Sequence, residues 1–246
     1  MARVNQKNQL TGLIGGIYSK QHRGKQIWQT KPDRSNQDKS KNVNAILMKK
    51  ASHDSSFIRK RVENLLNSRQ DSYMHSRFLG KLMSTLHKED KITIAEKTIF
   101  SVDCYNLKGF EFNNKVLFKE IVLSNIEVNE INKGELHVMI PSFKPNEQII
   151  FPKGCTEALI RLSAFTLCNT LEIYHQKNIH DFTIEFTKED HLVEEINWVC
   201  PTIEHSEKFE IIVADILFFY PINSLNKRLT LYNNKMYNPS MVIYAK

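Results

Sequence analysis

The chain has 246 residues, of which 41% are hydrophobic and 25% are charged, and its net charge is +7. This composition is typical of a folded protein, and only eight glycines and seven prolines exclude collagen-like and low-complexity classes. No stretch approaches about 18 consecutive apolar residues and residues 1–13 lack an apolar core, so we expect a cytoplasmic protein with no membrane partner.

The charge is distributed unevenly along the chain. Residues 1–90 contain 18 lysines and arginines against 7 acidic residues, whereas residues 91–246 contain 16 against 20. A basic leading third on a mildly acidic body predicts an anionic partner for the N-terminal part. The alternatives are nucleic acid, a membrane surface, the acidic face of another copy, or a solvated surface that has no partner.

Residues 1–52 have the character of a basic arm, with 11 lysines and arginines and two acidic residues. Within the arm, apolar and polar residues alternate on both sides of Arg-Gly-Lys at 23–25, which predicts a β-hairpin. An isolated hairpin is marginally stable in water, so its apolar side chains need a surface on which to pack. The contact residues predicted in the arm are Ile17, Tyr18, Arg23, Lys25, Ile27 and Trp28.

Residues 53–90 are predicted to form a pair of amphipathic helices. In the first, over 56–67, Ile58 and Val62 share one face, while Arg59 and Arg61 add basic groups elsewhere. The second, over 72–88, has Asp71 or Ser72 as its N-cap. Its apolar stripe is typical of a core-facing surface and consists of Met74, Phe78, Leu82, Met83 and Leu86.

Residues 91–246 show many short strand patterns without long helices between them, which predicts an antiparallel β-sandwich or jelly-roll-like domain. The overall fold class is therefore mostly β, of the α+β type. Hairpin turns are predicted at 132–134 and 223–226. The predicted strands are 92–102, 116–123, 135–140, 158–168, 181–186, 209–219, 228–231 and 241–244.

The sequence lacks the motifs of common enzyme classes. Phosphate-binding and dinucleotide-binding loops are missing, as is the nucleophile elbow of hydrolases. Potential zinc ligands are scattered at 168–180 and 191–205 without paired spacing, which favours buried thiols and surface histidines. The acidic doublets at 189–190 and 194–195 are typical of solvated loops. We expect no cofactor and no metal, and a metal-dependent enzyme remains the less favoured alternative.

The four cysteines, which are Cys104, Cys155, Cys168 and Cys200, are widely spaced and form no Cys-x-x-Cys pair. In a chain of this size, that spacing predicts reduced and mostly buried thiols rather than a disulfide framework.

Several short segments, in order along the chain, are candidate family motifs. They are the Gly-rich opening with Arg-Gly-Lys at 23–25, Pro32, Arg-Lys-Arg-Val-Glu-Asn at 59–64, Leu-Lys-Gly-Phe-Glu-Phe-Asn at 107–113, Ile-Pro-Ser-Phe-Lys-Pro at 140–145 and Phe-Pro-Lys-Gly-Cys-Thr at 151–156. Through these segments the chain resembles an uncharacterised group of Bacteroidota proteins of similar length. It departs from the group at 157–159, where Glu-Ala-Leu replaces a His-aromatic-Arg type of sequence. The resemblance implies a shared fold and transfers no catalytic residue.

Together these features predict a non-enzymatic structural or interaction module. The chain would assemble with itself or with another subunit through its arm, as in a multi-subunit or mobile-element particle. The alternative is a sequence-nonspecific protein that binds single-stranded nucleic acid. That reading rests on the lysines and arginines of the arm, which are interleaved with Tyr18 and Trp28, and on Arg59 and Arg61.

Overall fold

A computed structural model of the protein describes residues 3–4, 10–22, 25–30, 43–89, 92–132, 134–170, 173–203, 205–221 and 230–246. The chain divides into two compact units, Met1–Lys41 and Asn42–Lys246. We call the first unit the arm and the second the body, and each is described by itself.

The described residues of the arm form one antiparallel sheet. Its strands follow chain order and are β1 (Arg3–Val4), β2 (Leu10–Ile14), β3 (Ile17–His22) and β4 (Lys25–Thr30). The pairing of β3 with β4 confirms the predicted hairpin, although its turn residues, Arg23 and Gly24, lie outside the described residues. The second hairpin, between β2 and β3, was not predicted. It turns at Gly15, whose φ of 58° favours glycine.

The first helix of the body, α1, spans Val43–Leu65 and begins earlier than predicted. Residues 43–52, which the sequence analysis assigned to the arm, are therefore helical. The reason is the continuation of its buried stripe, since Leu47 and Ala51 precede Ile58 and Val62 at helical spacing. The intervening lysines and serines concealed this periodicity in the sequence.

The second helix, α2, spans Met74–Lys88 and buries four residues of the predicted stripe, which are Met74, Phe78, Leu82 and Leu86. The predicted N-cap is wrong, because Tyr73 occupies that position without a side-chain capping bond. Asp71 lies further upstream, where its Oδ1 accepts a hydrogen bond of 2.6 Å from the backbone N–H of Tyr73.

The remaining elements of the body are mostly antiparallel strands, which confirms the mostly β class at this level. They are α3 (Phe118–Ile121), β5 (Glu127–Asn132), β6 (Glu135–Ile140), α4 (Pro145–Gln148), β7 (Glu157–Thr170), β8 (Ile173–Thr187), β9 (Ile196–Pro201), β10 (Lys208–Tyr220), β11 (Thr230–Leu231) and β12 (Ser240–Ala245). One sheet has the order β11-β10-β7-β8, with β12 also paired to β10, and the other has the order β5-β6-β9.

The long strands β7 and β10 are buried on both faces. Alternate residues of β7, such as Ile160 and Leu162, join a core cluster with residues of β6 and β9. Residues on the other face of β7, such as Phe165 and Leu167, join a second cluster, which contains the buried stripes of α1 and α2. The helical pair therefore shares one core cluster with β7, β10 and β12 and belongs to the same unit as the strands, whereas the sequence analysis placed a boundary at residue 90.

Two predicted strands are not strands in the structure. Residues 92–102 form turns and bends, and α3 lies within the predicted strand at 116–123. In the first segment, Ile99 and Val102 pack against the helices, and the Ser101 hydroxyl donates to the carbonyl of Glu96 at 2.8 Å. Local hydrogen bonds thus replace sheet pairing there.

The predicted turn at 132–134 connects β5 to β6, and its Gly134 has a φ of 104°. The turn predicted at 223–226 falls outside the described residues. Strands β5 and β9 and the first half of β8 were not predicted.

A buried ion pair joins the large sheet to α1. Arg161 of β7 and Asp215 of β10 are direct partners across the strands. The Nε and Nη2 groups of Arg161 donate to the two carboxylate oxygens of Asp215 at 2.9 and 2.8 Å. Nη2 also donates to the carbonyl of Leu65 at 2.6 Å, which satisfies a backbone acceptor in the last turn of α1. Burial lowers the pKa of Arg161, but the hydrogen bonds and charge of Asp215 raise it overall.

We expect Asp215→Ala to lower the free energy of unfolding by about 3–5 kcal/mol, because it leaves the Arg161 guanidinium buried without its counter-ion. Urea unfolding measures this change. The matched control is Glu147→Ala, which removes the exposed pair with Lys144 (3.1 Å) and should cost less than about 1 kcal/mol. Equal effects of the two substitutions would contradict a structural role for the buried pair.

Candidate functional site

The strand register of the arm sheet separates its side chains onto two faces. Ser19 lies opposite Trp28, and Ile14 lies opposite Ile17, so these residues share one face. Val4 lies on the same face, because it is the cross-strand partner of Leu10, which is four residues before Ile14 in β2. The exposed fractions are 63% for Val4, 41% for Ile14, 46% for Ile17 and 51% for Trp28. We call these four residues the apolar arm face.

Polar groups at the centre of this face are internally satisfied. The Ser19 hydroxyl donates to the carbonyl of Leu10 at 2.8 Å, and the amide of Gln26 donates to the same carbonyl at 3.1 Å. Ser19 is fully buried, although the apolar side chains of the apolar arm face are not. A face with a satisfied polar centre and exposed apolar side chains is suited to contact with another apolar surface.

The opposite face of the arm sheet combines basic and aromatic side chains. Tyr18 alternates with Lys20 along β3, and Lys20 is the cross-strand partner of Ile27. Lys25 lies two residues before Ile27 in β4 and therefore points to the same side. Arg3 lies on this side as well, because it is the cross-strand partner of Thr11, which is two residues before the partner of Tyr18 in β2. Tyr18 is 42% exposed, and Arg3 and Lys25 are also exposed. We call Arg3, Tyr18, Lys20, Lys25 and Ile27 the basic arm face.

The predicted contact residues of the arm therefore do not form one patch. Ile17 and Trp28 lie on the apolar arm face, whereas Tyr18, Lys25 and Ile27 lie on the basic arm face. Arg23 lies outside the described residues. The sequence analysis missed this separation, although the strict alternation of side chains in a strand contains the signal that could have revealed it.

The strand β4 also presents an unpaired edge. Among the described strands, β4 pairs only with β3. Hydrogen-bonded and non-hydrogen-bonded pairs alternate in an antiparallel ladder, so every second residue of β4 directs its backbone N–H and C=O away from β3. Such an edge can accept a strand from another chain.

The two predicted arginines of the helical pair belong to the body, not to the arm. Both lie on α1, where the Nη1 of Arg59 is 3.5 Å from the Oε1 of Glu63 one turn later. The Arg59 side chain is only 26% exposed, and Arg61 is half-buried. An anionic ligand would have to compete with Glu63 for Arg59, so this residue is a weaker candidate than the lysines of the basic arm face.

A second charged cluster, centred on Arg77 of α2, organises the body. Its guanidinium donates to Asp71 Oδ2 at 2.6 Å and to the carbonyl of Glu111 at 2.7 Å. Burial raises the pKa of Asp71, but bonds from the N–H groups of Asn114 and Tyr73 and from Arg77 outweigh it, so the pKa lies below its ordinary value. The cluster holds the segment 111–114, because Arg77 contacts the carbonyl of Glu111 and Asp71 accepts from the N–H of Asn114.

The carboxylate of Glu111 accepts hydrogen bonds from the first backbone N–H groups of α3. Its Oε2 accepts a hydrogen bond of 2.9 Å from the backbone N–H of Phe118, and the residue is only 7% exposed. Burial raises the pKa of Glu111 to about 6, against the lowering effect of the N–H groups of Phe118 and Lys119. The carboxyl group is enclosed by backbone, so its role is structural.

The cysteines are all buried and none is in a disulfide, which confirms that part of the prediction. Burial, with a smaller effect of Glu210, raises the pKa of Cys200 to about 11, and burial raises that of Cys104 to about 12. Thiols with such pKa values stay protonated near neutral pH and are poor nucleophiles. Within the described ranges, no group of three His, Cys, Asp or Glu side chains is arranged to hold a metal ion.

No protein-family model, curated protein or solved structure matches this chain. The resemblance to the Bacteroidota group therefore stays a prediction. In the part of the chain that the structure describes, no helix is both long enough and apolar enough to cross a membrane.

Glu111 should make the stability of the body depend on pH. Between the unfolded value of 4.5 and about 6, the native state binds more protons, so the free energy of unfolding falls as pH rises through this window. The full effect is about 2 kcal/mol. Asp71 acts in the opposite sense and only in more acidic solution, because its folded pKa lies below 3.8.

Chemical denaturation at several pH values tests this prediction. Glu111→Gln should flatten the decline between pH 4.5 and about 6, whereas the control Glu147→Gln on α4 should keep it. An unchanged pH profile in Glu111→Gln would show that this carboxyl group is not the source of the dependence.

Proposed function

We propose that the protein is a non-enzymatic assembly subunit whose arm docks on a neighbouring subunit. The observation that carries the proposal is the apolar arm face. In the described residues of the arm, every element belongs to one sheet, and Val4, Ile14, Ile17 and Trp28 stay 41–63% exposed on it. Small sheets gain stability in water when an apolar face packs against another surface.

A second argument for this proposal is that the body has its own buried core and does not need the arm to form it. The large sheet has buried apolar residues on both faces, and the buried charge of Asp215 has its counter-ion. The body can therefore serve as a stable platform, while the arm gains stability from association. A chain built in this way is suited to a multi-subunit particle or a mobile-element assembly.

The charge distribution favours a second copy of this chain as the neighbour. Residues 1–90 have a surplus of basic residues, with 18 against 7 acidic ones, whereas acidic residues predominate in 91–246 by 20 to 16. The body as a whole is neutral, with 25 basic and 25 acidic residues in 42–246, whereas the arm has 9 basic and 2 acidic residues in 1–41. The arm of one copy would thus approach the acidic part of another body, at 91–246, and this attraction steers association. Another protein subunit with an acidic surface is the remaining choice of partner.

A second candidate function is nonspecific binding of single-stranded nucleic acid by the basic arm face. The specific observation that favours it is the alternation of Tyr18 with Lys20 along β3, beside Lys25 of β4. Cationic groups next to an exposed aromatic ring provide phosphate contacts and a stacking platform. The two functions use opposite faces of the arm sheet and are therefore separable by mutation.

The double substitution Ile17→Ser with Trp28→Ser should weaken self-association by at least about tenfold, because it removes two of the four apolar groups of the docking surface. Sedimentation velocity across a range of protein concentrations measures the change. The matched control is Leu192→Ser with Val199→Ser, which alters two body residues that are 57% and 52% exposed. Equal association of the two double variants would contradict the proposal.

For nucleic acid, we expect affinity for an oligothymidine to fall steeply with salt, and Lys20→Gln with Lys25→Gln to reduce the log–log salt slope by about 1.4. Fluorescence anisotropy measures both quantities. The control, Lys153→Gln with Lys235→Gln, removes the same charge from the body. Binding that is independent of salt, or a slope that changes equally in the control, would exclude this second function.

A further inference from the structure

A groove lined wholly by residues of the body combines an apolar floor with two lysines. It has a volume of about 310 Å³ and lies between α3, the segment that follows it, and β12. This volume is at the lower end of the range for small-molecule sites. The residues that line it are Lys108, Gly109, Phe118, Lys119, Val122, Leu123, Ser124, Asn125, Ile126, Met241, Val242 and Ile243.

The walls of the groove are held by backbone hydrogen bonds, so the groove exists before any ligand arrives. On one side, Gly109 N–H donates to the carbonyl of Val242 at 2.8 Å. On the other side, Leu123 N–H donates to the backbone carbonyl of Gln148 at 2.9 Å, and Ile150 N–H donates to the backbone carbonyl of Ile121 at 2.9 Å. A preformed groove avoids the entropic cost of ordering its walls when a ligand binds.

The floor of the groove is formed by apolar core residues, and its rim exposes apolar surface to solvent. Phe118, Val122 and Ile243 are buried in the core cluster below, and Met241 packs against that cluster. At the rim, Leu123 is 55% exposed, although it adjoins this apolar floor. Apolar groups in such a position favour the apolar part of a small molecule over bulk water.

The charge in the groove has one sign. Both Lys108 and Lys119 are exposed, and none of the lining residues is acidic. The Nζ of Lys108 lies 5.7 Å from the centroid of the Tyr105 ring, a cation–π distance that orients the ammonium group. Two acidic groups border the groove without lining it: Glu127, whose Oε1 accepts a hydrogen bond of 3.0 Å from Asn125, and Glu111, which accepts from the N–H groups of Phe118 and Lys119.

The groove lining also includes a buried polar group. Ser124 is 7% exposed, and its hydroxyl has no hydrogen-bond partner within the described part of the body. Buried hydroxyl groups without partners are rare in folded proteins. Because this oxygen is enclosed, it would have to rotate towards the groove before an oxygen atom of a ligand could supply the missing partner.

We infer that this groove binds a small amphipathic anion, with its carboxylate near Lys108 and Lys119 and its apolar part on the floor formed by Phe118, Val122 and Met241. The ligand class follows from three properties: cationic groups at the rim, an apolar floor and a volume suited to about ten to twenty non-hydrogen atoms. Binding at this site is independent of the arm and of the assembly proposed above.

The test uses three probes with the same apolar part and different head groups: phenylbutyrate, phenylbutanol and phenylbutylamine. Calorimetric titration of the full chain should show saturable binding of phenylbutyrate, at least about tenfold tighter than that of the alcohol. The amine should bind most weakly. Backbone NMR shifts of residues 118–126 and 241–243 should follow the titration with phenylbutyrate.

Variants separate this site from nonspecific attraction to a basic protein. Lys108→Gln with Lys119→Gln should weaken phenylbutyrate binding about tenfold and leave phenylbutanol binding unchanged. The control Lys153→Gln, on an exposed turn outside the groove, should bind as the unaltered chain does. Lack of saturable binding, equal affinity for acid and alcohol, or equal losses in control and double variant would overturn the inference.

Discussion

The structure of the body depends on the burial of one sheet from both sides. Strands β7 and β10 place apolar side chains alternately towards the helices and towards the three-stranded sheet, so neither face is left to water. This arrangement puts Arg161 and Asp215 into the interior, where each requires the other, and Arg161 reaches across to the end of α1. The ion pair thereby fixes where the helical layer meets the sheet.

The segment at 109–113 extends this architecture to the edge of the sheet. Phe112 N–H donates to the carbonyl of Ser240 at 2.9 Å, and Val242 N–H donates to that of Phe110, so the segment continues the sheet beyond β12. Gly109 adopts a φ of 78°, which allows the chain to turn into this position. This segment thus has a structural role, and the groove beside it is a consequence of the same packing.

The arm contrasts with this self-sufficient body. Its sheet is internally paired, yet both faces retain exposed apolar or aromatic side chains, such as Trp28 on one face and Tyr18 on the other. We interpret the difference as functional: the body supplies stability, and the arm supplies contact. Because the two faces differ in character, the arm could meet a protein surface and an anionic polymer without competition between them.

Sequence reasoning succeeded where a periodic pattern coincided with burial. The strand predicted at 158–168 and the stripe predicted for α2 were correct elements because most of their apolar residues face a core. It failed where polar residues concealed periodicity, as in the start of α1, and where local hydrogen bonds competed with strand formation, as at 92–102. The first half of β8 is rich in polar residues and was missed for the first of these reasons.

The sites were less accessible to sequence reasoning than the elements. Five of the eight predicted contact residues lie in the arm sheet, but their division between two faces depends on strand register. The groove unites residues near 108 and 118–126 with residues 241–243, which are more than a hundred positions away. Only tertiary pairing with β12 brings these segments together, and no local pattern encodes it.

Hydrogen exchange measured on the intact chain at low and high concentration tests the central claim most directly. If the arm docks on a neighbouring molecule, the amides of β3 and β4 should exchange more slowly as concentration rises, while those of β7 and β10 stay equally protected. Arm amides that are fully protected at the lowest concentration, with no further change, would show that the arm needs no neighbour and would contradict the account.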